Sequence, residues 1–195
     1  MTDSGRGPRV EAVVIGASAG AIQALSEILP ALPADFALPV LAVVHVPPDR
    51  KNALSALFAR RCLLPVREAE DKEPLAPGTI TFAPPNYHML VETDRTIALS
   101  TDEPVHFSRP SIDVLFESAA DAFGPNLLAV VLTGANEDGA RGLLAVARAG
   151  GTSLVQDPAS APSPEMPRAA SSAVPQARVE TLRMIAEQVI KAGRR

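Results

Sequence analysis

Three long apolar runs divide the sequence, and each is followed by a turn and then by a segment with helical periodicity. The runs cover residues 10–15, 39–46 and 127–133 and are rich in valine and leucine. Near-continuous apolar runs of this length are typical of strands that are buried on both faces, as in parallel sheets. The alternation of such strands with helices predicts a three-layer, doubly wound α/β fold, a mostly parallel sheet with helices on both faces.

The remaining segments fit around that sheet. Apolar spacing predicts helices over residues 19–29, 52–62, 111–123, 140–149 and 182–191, and short strands over 65–68 and 152–156. Residues 79–100 contain three short β segments, which predict an antiparallel β-hairpin excursion. Residues 157–167 contain four prolines and are predicted to form an irregular loop. We expect residues 1–9 to be a flexible N-terminus and residues 10–195 to form one domain.

Composition narrows the class of protein. The net charge of −4 argues against nucleic acid as the main partner. No apolar run approaches the roughly 18 residues that a membrane-spanning helix needs, so we expect no direct membrane insertion. The single cysteine, Cys62, excludes an internal disulfide, and the polar N-terminus lacks the apolar core of a signal peptide. These features predict a cytoplasmic protein.

The first apolar run leads into the stretch Gly16-Ala-Ser18-Ala-Gly20, which precedes a predicted helix. This order of strand, glycine-flanked serine and helix matches the nucleophile-elbow pattern, which exposes a serine hydroxyl at the end of a strand. The glycines permit the unusual backbone angles and close approach of such a turn. The same letters also fit a phosphate-binding turn, so the stretch alone does not assign a function.

Three residues of catalytic type follow three different apolar runs. Ser18, His45 and Asp138 each lie at or just beyond the carboxyl end of a predicted strand, where sites of parallel sheets are found. A histidine can accept the proton of a serine hydroxyl, and a carboxylate can orient that histidine. The backbone N–H of Ala19, at the start of the next helix, is a natural oxyanion donor, and Ala135 is a candidate for the second.

Each of these residues also has a plain structural interpretation. A serine in a glycine-rich turn can be a helix cap, a histidine at a strand end can be structural, and Asp138-Gly139 is a common turn pair. His88 and His106 are competing bases; His88 would line the mouth of the site or be structural, and His106 would lie at the surface or face a substrate. The three residues together favour triad catalysis.

Other kinds of site fit less well. Three scattered histidines and one cysteine give none of the short spacings of zinc ligands, so we expect no metal. A dinucleotide site is the main rival, but the third glycine of its fingerprint is missing, and the only tyrosine, Tyr87, is not followed by a lysine four residues on. No P-loop lysine follows Gly20. We expect no cofactor.

Six ordered stretches carry a resemblance to a known family. They are Ile15-Gly-Ala-Ser-Ala-Gly20, Val44-His45-Val-Pro-Pro48, Pro77-Gly78 with Phe82-Ala-Pro-Pro-Asn-Tyr-His88, Ser108-Arg-Pro-Ser-Ile-Asp113, Val131-Leu-Thr-Gly134 with Glu137-Asp-Gly139, and Gln156-Asp157 with Met166-Pro167. With them, the chain resembles the catalytic domain of the chemotaxis protein-glutamate methylesterases (CheB-type) over about residues 10–192.

The resemblance implies a function and roles for the same three residues. It implies Ser18 as nucleophile, His45 as base and Asp138 as orienting acid of a methylesterase in chemotaxis signal transduction. The implied reaction is hydrolysis of glutamate methyl esters on the signalling helices of a methyl-accepting chemoreceptor, with release of methanol. Some members of the family also deamidate receptor glutamines. A catalytically silent receptor-binding module of a chemosensory pathway is the alternative.

The chain departs from the family pattern in two ways. The family typically carries an N-terminal receiver domain, whereas about nine residues precede the first strand here, so we expect either constitutive activity or control by a separate regulatory protein. Ala21 stands where a second glycine is usual, which adds a methyl group near the serine. In the stretch that contains Arg109, we expect loop anchoring; Arg109 and His88 are the substrate-facing candidates.

Overall fold

The fold is built on a parallel sheet that the sequence predicts. The structure, a computed structural model, describes residues 9–45 and 53–194. Its strands are β1 (Ala12–Ala17), β2 (Val40–Val44), β3 (Val66–Glu68), β4 (Ile80–Phe82), β5 (His88–Val91), β6 (Ile97–Ser100), β7 (Leu127–Val131), β8 (Thr152–Gln156) and β9 (Arg178–Glu180). Within these residues, seven strands form a sheet in the order β3-β4-β2-β1-β7-β8-β9, and every pair is parallel.

Helices cover both faces of this sheet. They are α1 (Ala21–Ile28), α2 (Ala53–Ala59), α3 (Ile112–Phe123), α4 (Ala140–Arg148), α5 (Glu165–Ala173) and α6 (Leu182–Gly193), with 3-10 turns at Leu29–Ala31 and Gly124–Asn126. Alternate residues of β1 point into two cores: Val13 and Ile15 pack with α1 and α6, and Ala12 and Val14 pack with α3 and α4. The predicted doubly wound α/β fold is confirmed.

One of the short β segments lies elsewhere than predicted. Only β5 and β6 form the antiparallel hairpin, whereas β4 joins the main sheet between β2 and β3. The β segment predicted within residues 79–83 is present, but its assignment to the antiparallel excursion is wrong. All three residues of β4 are buried, which is expected of an internal strand of a covered sheet. The sequence does not indicate this position in the sheet, because three residues are too few to show a hydrophobic periodicity.

The proline-rich segment contains a helix that the sequence analysis missed. Residues 157–164 are irregular, but α5 begins at Glu165, with Pro164 at the N-cap and Pro167 in the first turn. Proline is tolerated there because the first backbone N–H groups of a helix have no acceptor within it. The short edge strand β9 was also missed.

Some predictions fall on residues outside the described part of the chain. The predicted flexible N-terminus lies outside it except for Arg9, as do Val46–Asn52, which include two prolines of one family-like stretch and the predicted start of α2. Across residues 9–45 and 53–194, none of the helices is long and apolar enough to cross a membrane.

The chain direction across the sheet places the functional site. β1 is central, with β2 on one side and β7 on the other; the chain adds β2, β3 and β4 on one side of β1 before it returns to add β7, β8 and β9 on the other. In open parallel sheets, such a reversal leaves a crevice at the carboxyl ends of the two diverging strands. The two diverging strands are β1 and β7, so Ser18, which directly follows β1, and Asp138, which lies between β7 and α4, are at this crevice. His45 directly follows β2, the neighbour of β1 on its other side.

Candidate active site

Ser18 lies in a tight turn between β1 and α1. Its N–H donates to the carbonyl of Thr133 at 2.9 Å, and its own carbonyl accepts the N–H of Ala21 at 2.9 Å. Gly20, the N-cap of α1, has φ 85°, a left-handed conformation that glycine adopts without steric cost. The side chain of Ser18 is half-buried, and in the described part of the chain its hydroxyl has no hydrogen-bond partner. The strand–turn–helix geometry of the elbow is present.

Gly16 allows a second helix to approach the serine turn closely. A Cβ atom at this position would overlap the Cγ2 of Ile112, the first residue of α3. The missing side chain therefore lets the N-terminus of α3 pack against the end of β1. This close packing matters because the N-terminus of α3 holds the carboxylate described below.

His45 connects the serine turn to a buried acid. Its N–H donates to the carbonyl of Ala17 at 3.2 Å, and Nε2 donates to Oδ2 of Asp138 at 2.8 Å. The imidazole is 12% exposed. Ser18 and His45 line one cavity of about 460 Å³ together with Val44, Leu54 and Leu57.

The hydrogen bond between Ser18 and His45 is not formed here. Among the described residues, the serine hydroxyl and the imidazole have no hydrogen bond to each other, and Nδ1 of His45 has no partner. Catalytic hydrogen bonds often tighten only in the presence of substrate. Nδ1 is therefore the nitrogen available to accept the serine proton, since Nε2 is engaged with Asp138.

Asp138 is held by an unusually complete set of donors. Its carboxylate is fully buried and accepts four hydrogen bonds: from Nε2 of His45 at 2.8 Å, Oγ of Ser111 at 2.9 Å, and the N–H groups of Ile112 at 2.7 Å and Asp113 at 2.9 Å. The two N–H groups belong to the first turn of α3, where the helix dipole favours a negative charge. Burial alone would raise the pKa of Asp138, but the bonds from His45, Asp113 and Ile112 outweigh it and lower the pKa below its ordinary value.

Asp113 makes the reciprocal contact. Its Oδ1 accepts the N–H groups of Gly139 at 2.9 Å and Gly142 at 2.7 Å, at the start of α4. Asp138 thus binds the N-terminus of α3, and Asp113 of α3 binds the N-terminus of α4; we call this the crossed carboxylate pair. Burial raises the pKa of Asp113, and the nearby charge of Asp138 adds to this, against the lowering effect of the Gly142 N–H.

Neither Ser111 nor Asp113 has a sequence pattern that predicts its role in this arrangement. Ser111 occupies the N-cap position of α3, but its hydroxyl donates to Asp138 instead of capping its own helix. An aspartate in the first turn of a helix indicates only that the helix dipole is compensated. Only the tertiary structure shows that such a residue also binds the N-terminus of a second helix.

Ala19 and Ala135 lie in two backbone segments that are joined beside the serine. The hydroxyl of Thr133 donates to the carbonyl of Ala19 at 2.8 Å, and the N–H of Thr133 donates to Oε1 of Gln156 at 2.9 Å. Both alanines are exposed, and within residues 9–45 and 53–194 neither N–H has a hydrogen-bond acceptor. Two free donors at the mouth of the site match the oxyanion-hole role predicted for them, which stays a prediction.

His88 does not face the site. It is 1% exposed, its Nδ1 accepts the N–H of Ser111 at 3.1 Å, and its Nε2 donates to the carbonyl of Glu103 at 3.1 Å. Both ring nitrogens are therefore occupied by backbone groups, and the interpretation of His88 as substrate-facing is wrong. Its position behind Ser111 gives it a structural role, which was the alternative interpretation.

Arg109 has the predicted anchoring contacts. Its Nη1 donates to the carbonyls of Thr101 at 2.8 Å and Asp102 at 3.0 Å, which ties the loop before α3 to the end of β6. Arg109 also lines a second cavity of about 210 Å³ beside His45 and Phe107. Substrate contact by Arg109 stays a prediction.

One cluster has the donor types of a metal site. Ligand atoms of His106, Asp113 and Asp138 lie within 4.8 Å of one another. Each oxygen of Asp138, however, already accepts two hydrogen bonds, and Nε of Arg141 lies 3.9 Å from Oδ2 of Asp113. Oδ2 of Asp113 has no hydrogen-bond partner among the described residues and lies 3.3 Å from Nε2 of His106. Because both oxygens of Asp138 are occupied and the His106 ring faces the open oxygen of Asp113, the cluster fits the partly exposed His106 ring better than a metal ion.

Comparison with known proteins agrees with this geometry. The family described as CheB methylesterase matches residues 13–189. A Leptospira interrogans protein with the provisional name protein-glutamate methylesterase/protein-glutamine glutaminase is 45% identical over 93% of this chain and 94% of its own length. Proteins with that name from Symbiobacterium thermophilum and Trichodesmium erythraeum are 40% and 36% identical over 80% and 94% of this chain, which spans 43% and 53% of their lengths.

A solved structure gives the same result for the fold. The crystal structure of the Thermotoga maritima CheB methylesterase catalytic domain matches with a TM-score of 0.90 at 30% sequence identity. The match covers 93% of this chain and 98% of that chain. With a sequence match over most of the chain and a structural match over nearly all of the domain, this chain belongs to the CheB methylesterase family.

Proposed function

We propose that this chain is a serine hydrolase that cleaves glutamate methyl esters on the signalling helices of a methyl-accepting chemoreceptor. The observation that carries the proposal is the 2.8 Å hydrogen bond from the imidazole of His45 to the buried carboxylate of Asp138. The same imidazole lines a cavity together with Ser18, whose hydroxyl has no hydrogen-bond partner in the described part of the chain. The names of the relatives, protein-glutamate methylesterase/protein-glutamine glutaminase, support this substrate class and add glutamine deamidation as a second activity.

The reaction follows from the positions of these groups. Oγ of Ser18 attacks the ester carbonyl carbon while its proton passes to Nδ1 of His45. Asp138 stabilises the resulting imidazolium through the Nε2–H, and the N–H groups of Ala19 and Ala135 donate to the tetrahedral oxyanion. Collapse of this intermediate breaks the C–O bond, and the methoxide takes the proton from His45 and leaves as methanol.

Water completes the cycle. It attacks the acyl-serine, gives a proton to His45 and releases the glutamate carboxylate, and the proton on His45 returns to Ser18. A receptor glutamine would follow the same route with ammonia in place of methanol as the leaving group. The same three residues therefore account for both names that the relatives carry.

The test is methanol release from a methylated chemoreceptor by the wild-type chain and by Ser18→Ala. Loss of the nucleophile should lower kcat by at least about 10³-fold. Ser26→Ala is a matched control, because Ser26 lies on α1 and, among the residues that the structure describes, hydrogen-bonds only to Ile22 and Arg61. Turnover by Ser18→Ala within ten-fold of wild type, in a folded protein, would refute the proposed nucleophile.

A silent receptor-binding module is the second candidate, and the unformed bond between Ser18 and His45 is the observation that favours it. A fluorophosphonate probe separates the two functions, because it labels only a serine that a base activates. Labelling at Ser18 in the wild type, and its loss in Ser18→Ala, supports the enzyme. Receptor binding without labelling supports the module.

A further inference from the structure

Phe107 is an apolar side chain placed in solvent beside the candidate base. It is fully exposed, and no other large apolar side chain in the described part of the chain is as exposed. It lines the cavity of about 210 Å³ that also contacts His45 and Arg109. Scattered exposed apolar residues are normal, but a fully exposed aromatic ring at the edge of a candidate active site is a feature of binding surfaces.

The backbone that carries Phe107 is strained in a way that exposes the ring. Val105 and Ser108 exchange two hydrogen bonds, of 3.1 and 2.9 Å, around a two-residue turn. Both central residues have positive φ, 48° at His106 and 60° at Phe107. Turns of this kind favour asparagine and glycine at these positions, and a bulky residue there costs free energy. Strain of this kind is concentrated at functional sites.

The turn is anchored on its inner side, so the backbone that carries the ring is held in position. Nε2 of His106 lies 3.3 Å from Oδ2 of the buried Asp113, and Nδ1 lies 3.6 Å from Oε1 of Glu137. Arg109 ties the following residues to the carbonyls of Thr101 and Asp102. The turn that carries Phe107 is therefore fixed to the residues around the crossed carboxylate pair.

Apolar surface lies on both sides of His45. Phe107 borders the smaller cavity, and Val44, Leu54 and Leu57 line the larger cavity that contains Ser18. A partner that places an ester at Ser18 would thus meet apolar contacts on either side of the reacting group. An amphipathic helix supplies such contacts, because side chains three or four residues apart lie on one face.

The charges around the ring indicate which helix surface fits. Asp102 and Glu103 are exposed in the same loop, and Glu137 is exposed beside His106. Arg109 is a nearby cation, and its guanidinium is engaged with the carbonyls of Thr101 and Asp102. These carboxylates disfavour an acidic partner surface and accept one in which glutamate is neutralised as its methyl ester. The surface formed by Phe107, His106 and Glu137 therefore complements an esterified, apolar stretch.

We propose that Phe107 is a docking residue for the substrate helix and packs against an apolar side chain one helical turn from the esterified glutamate. This inference rests on the proposed function, because it takes the receptor helix as the occupant. Phe107 acts on recognition of the protein substrate and leaves the acyl-transfer chemistry to the residues already described.

The experiment compares two substrates in wild-type protein and in Phe107→Ala. The first substrate is a helical peptide with one γ-methyl glutamate and leucine one turn away on each side; the second is p-nitrophenyl acetate. We expect Phe107→Ala to lower kcat/KM for the peptide about ten-fold, the loss typical of one interface anchor, and to leave turnover of p-nitrophenyl acetate unchanged. Replacing the peptide's leucines with serine should lower kcat/KM for the wild type and have little effect on Phe107→Ala.

Leu63→Ala is the matched control. Leu63 is 69% exposed and precedes β3, so it lies toward the amino ends of the parallel strands, whereas Ser18 lies at their carboxyl ends. Its replacement should therefore leave both activities unchanged. Phe107→Gly should unfold at a temperature equal to or above that of Phe107→Ala, because glycine adopts the positive φ without strain. A merely structural Phe107 would instead give loss of stability and equal losses on both substrates.

The outcomes are distinguishable. If the wild type hydrolyses p-nitrophenyl acetate but not the esterified peptide or a methylated receptor, the proposed function fails and this inference fails with it. If the wild type cleaves the peptide and Phe107→Ala cleaves it equally well, only the docking role is overturned. A change from dimer to monomer in Phe107→Ala with unchanged peptide kinetics would assign the ring to a contact between copies and would also overturn the proposal.

Discussion

Asp138→Asn changes one atom of the carboxylate that holds His45 and removes its charge. An amide has one acceptor oxygen and one NH₂ donor, whereas four donors converge on Asp138, two on each oxygen. If the amide oxygen faces His45 and Ile112, the NH₂ can donate to the hydroxyl of Ser111, but the N–H of Asp113 is left unpaired. If the amide is reversed, the N–H of Ile112 is unpaired and His45 must change tautomer.

The size of the effect follows from these two orientations. Either one leaves a buried N–H without an acceptor, which costs about 1–3 kcal/mol. For a domain of this size, that lowers Tm by about 2–12 °C. The first orientation keeps the tautomer and loses only the charge, while the second puts a hydrogen on Nδ1 and blocks proton transfer. We therefore expect kcat/KM to fall about 10²–10⁴-fold, or about 2.7–5.4 kcal/mol in the barrier.

The assay is methanol release from a methylated receptor, with thermal unfolding followed by circular dichroism on the same preparations. Ser111→Ala is the control, because it removes one hydrogen bond to Oδ1 and keeps the charge and both backbone donors. Its kcat/KM should fall less than about ten-fold, since one hydrogen bond contributes about 1 kcal/mol. A folded Asp138→Asn variant that keeps kcat/KM within ten-fold of wild type would refute the role of Asp138.

Three further predictions concern stability. Because its pKa is lowered in the folded state, ionised Asp138 stabilises the fold at pH values above the unfolded pKa of about 3.9. This stabilisation is lost as pH falls through the folded pKa, so the Tm deficit of Asp138→Asn should shrink below about pH 4. The raised pKa of Asp113 has the opposite effect, because protonation of Asp113 favours the folded state. The difference between the Tm of Asp113→Asn and the Tm of the wild type should therefore decrease as pH falls from 7 to below about 4, and an increase would contradict this prediction. Gly16→Ala should destabilise by about 1–3 kcal/mol in urea unfolding, because its Cβ would overlap Ile112, and an unchanged midpoint would exclude this packing.

The central part of the site could be predicted from sequence because it depends on strand ends. Apolar runs of the length of β1, β2 and β7 are typical of internal strands, and the carboxyl ends of parallel strands share one edge. Ser18 and His45 directly follow two such runs, and the pairing of Ala17 with Val44 makes them neighbours. Local pattern and global topology agree at these positions, so no tertiary information was needed to bring them together.

The rest of the site depends on which group a side chain meets across the fold. His88 and His45 are both histidines next to a strand, yet one is enclosed by backbone groups of Ser111 and Glu103 and the other contacts a carboxylate. Periodicity gives no information on this difference. The same limit applies to β4. The pairing of its three residues with β2 and β3 is determined by the arrangement of the sheet and not by the local sequence.

Gly142 shows how a local rule can point the wrong way. Glycine inside a helix costs roughly 0.5–1 kcal/mol relative to alanine, so propensity alone makes Gly142 a weak point of α4. In the structure, a Cβ at this position would lie 2.6 Å from Cβ of Phe116 and 3.0 Å from Cα of Asp113. The missing side chain lets α3 and α4 approach until the N–H of Gly142 reaches Asp113 at 2.7 Å. The same approach keeps the first turn of α3 against Asp138, so a residue that weakens its own helix supports the carboxylate that orients His45.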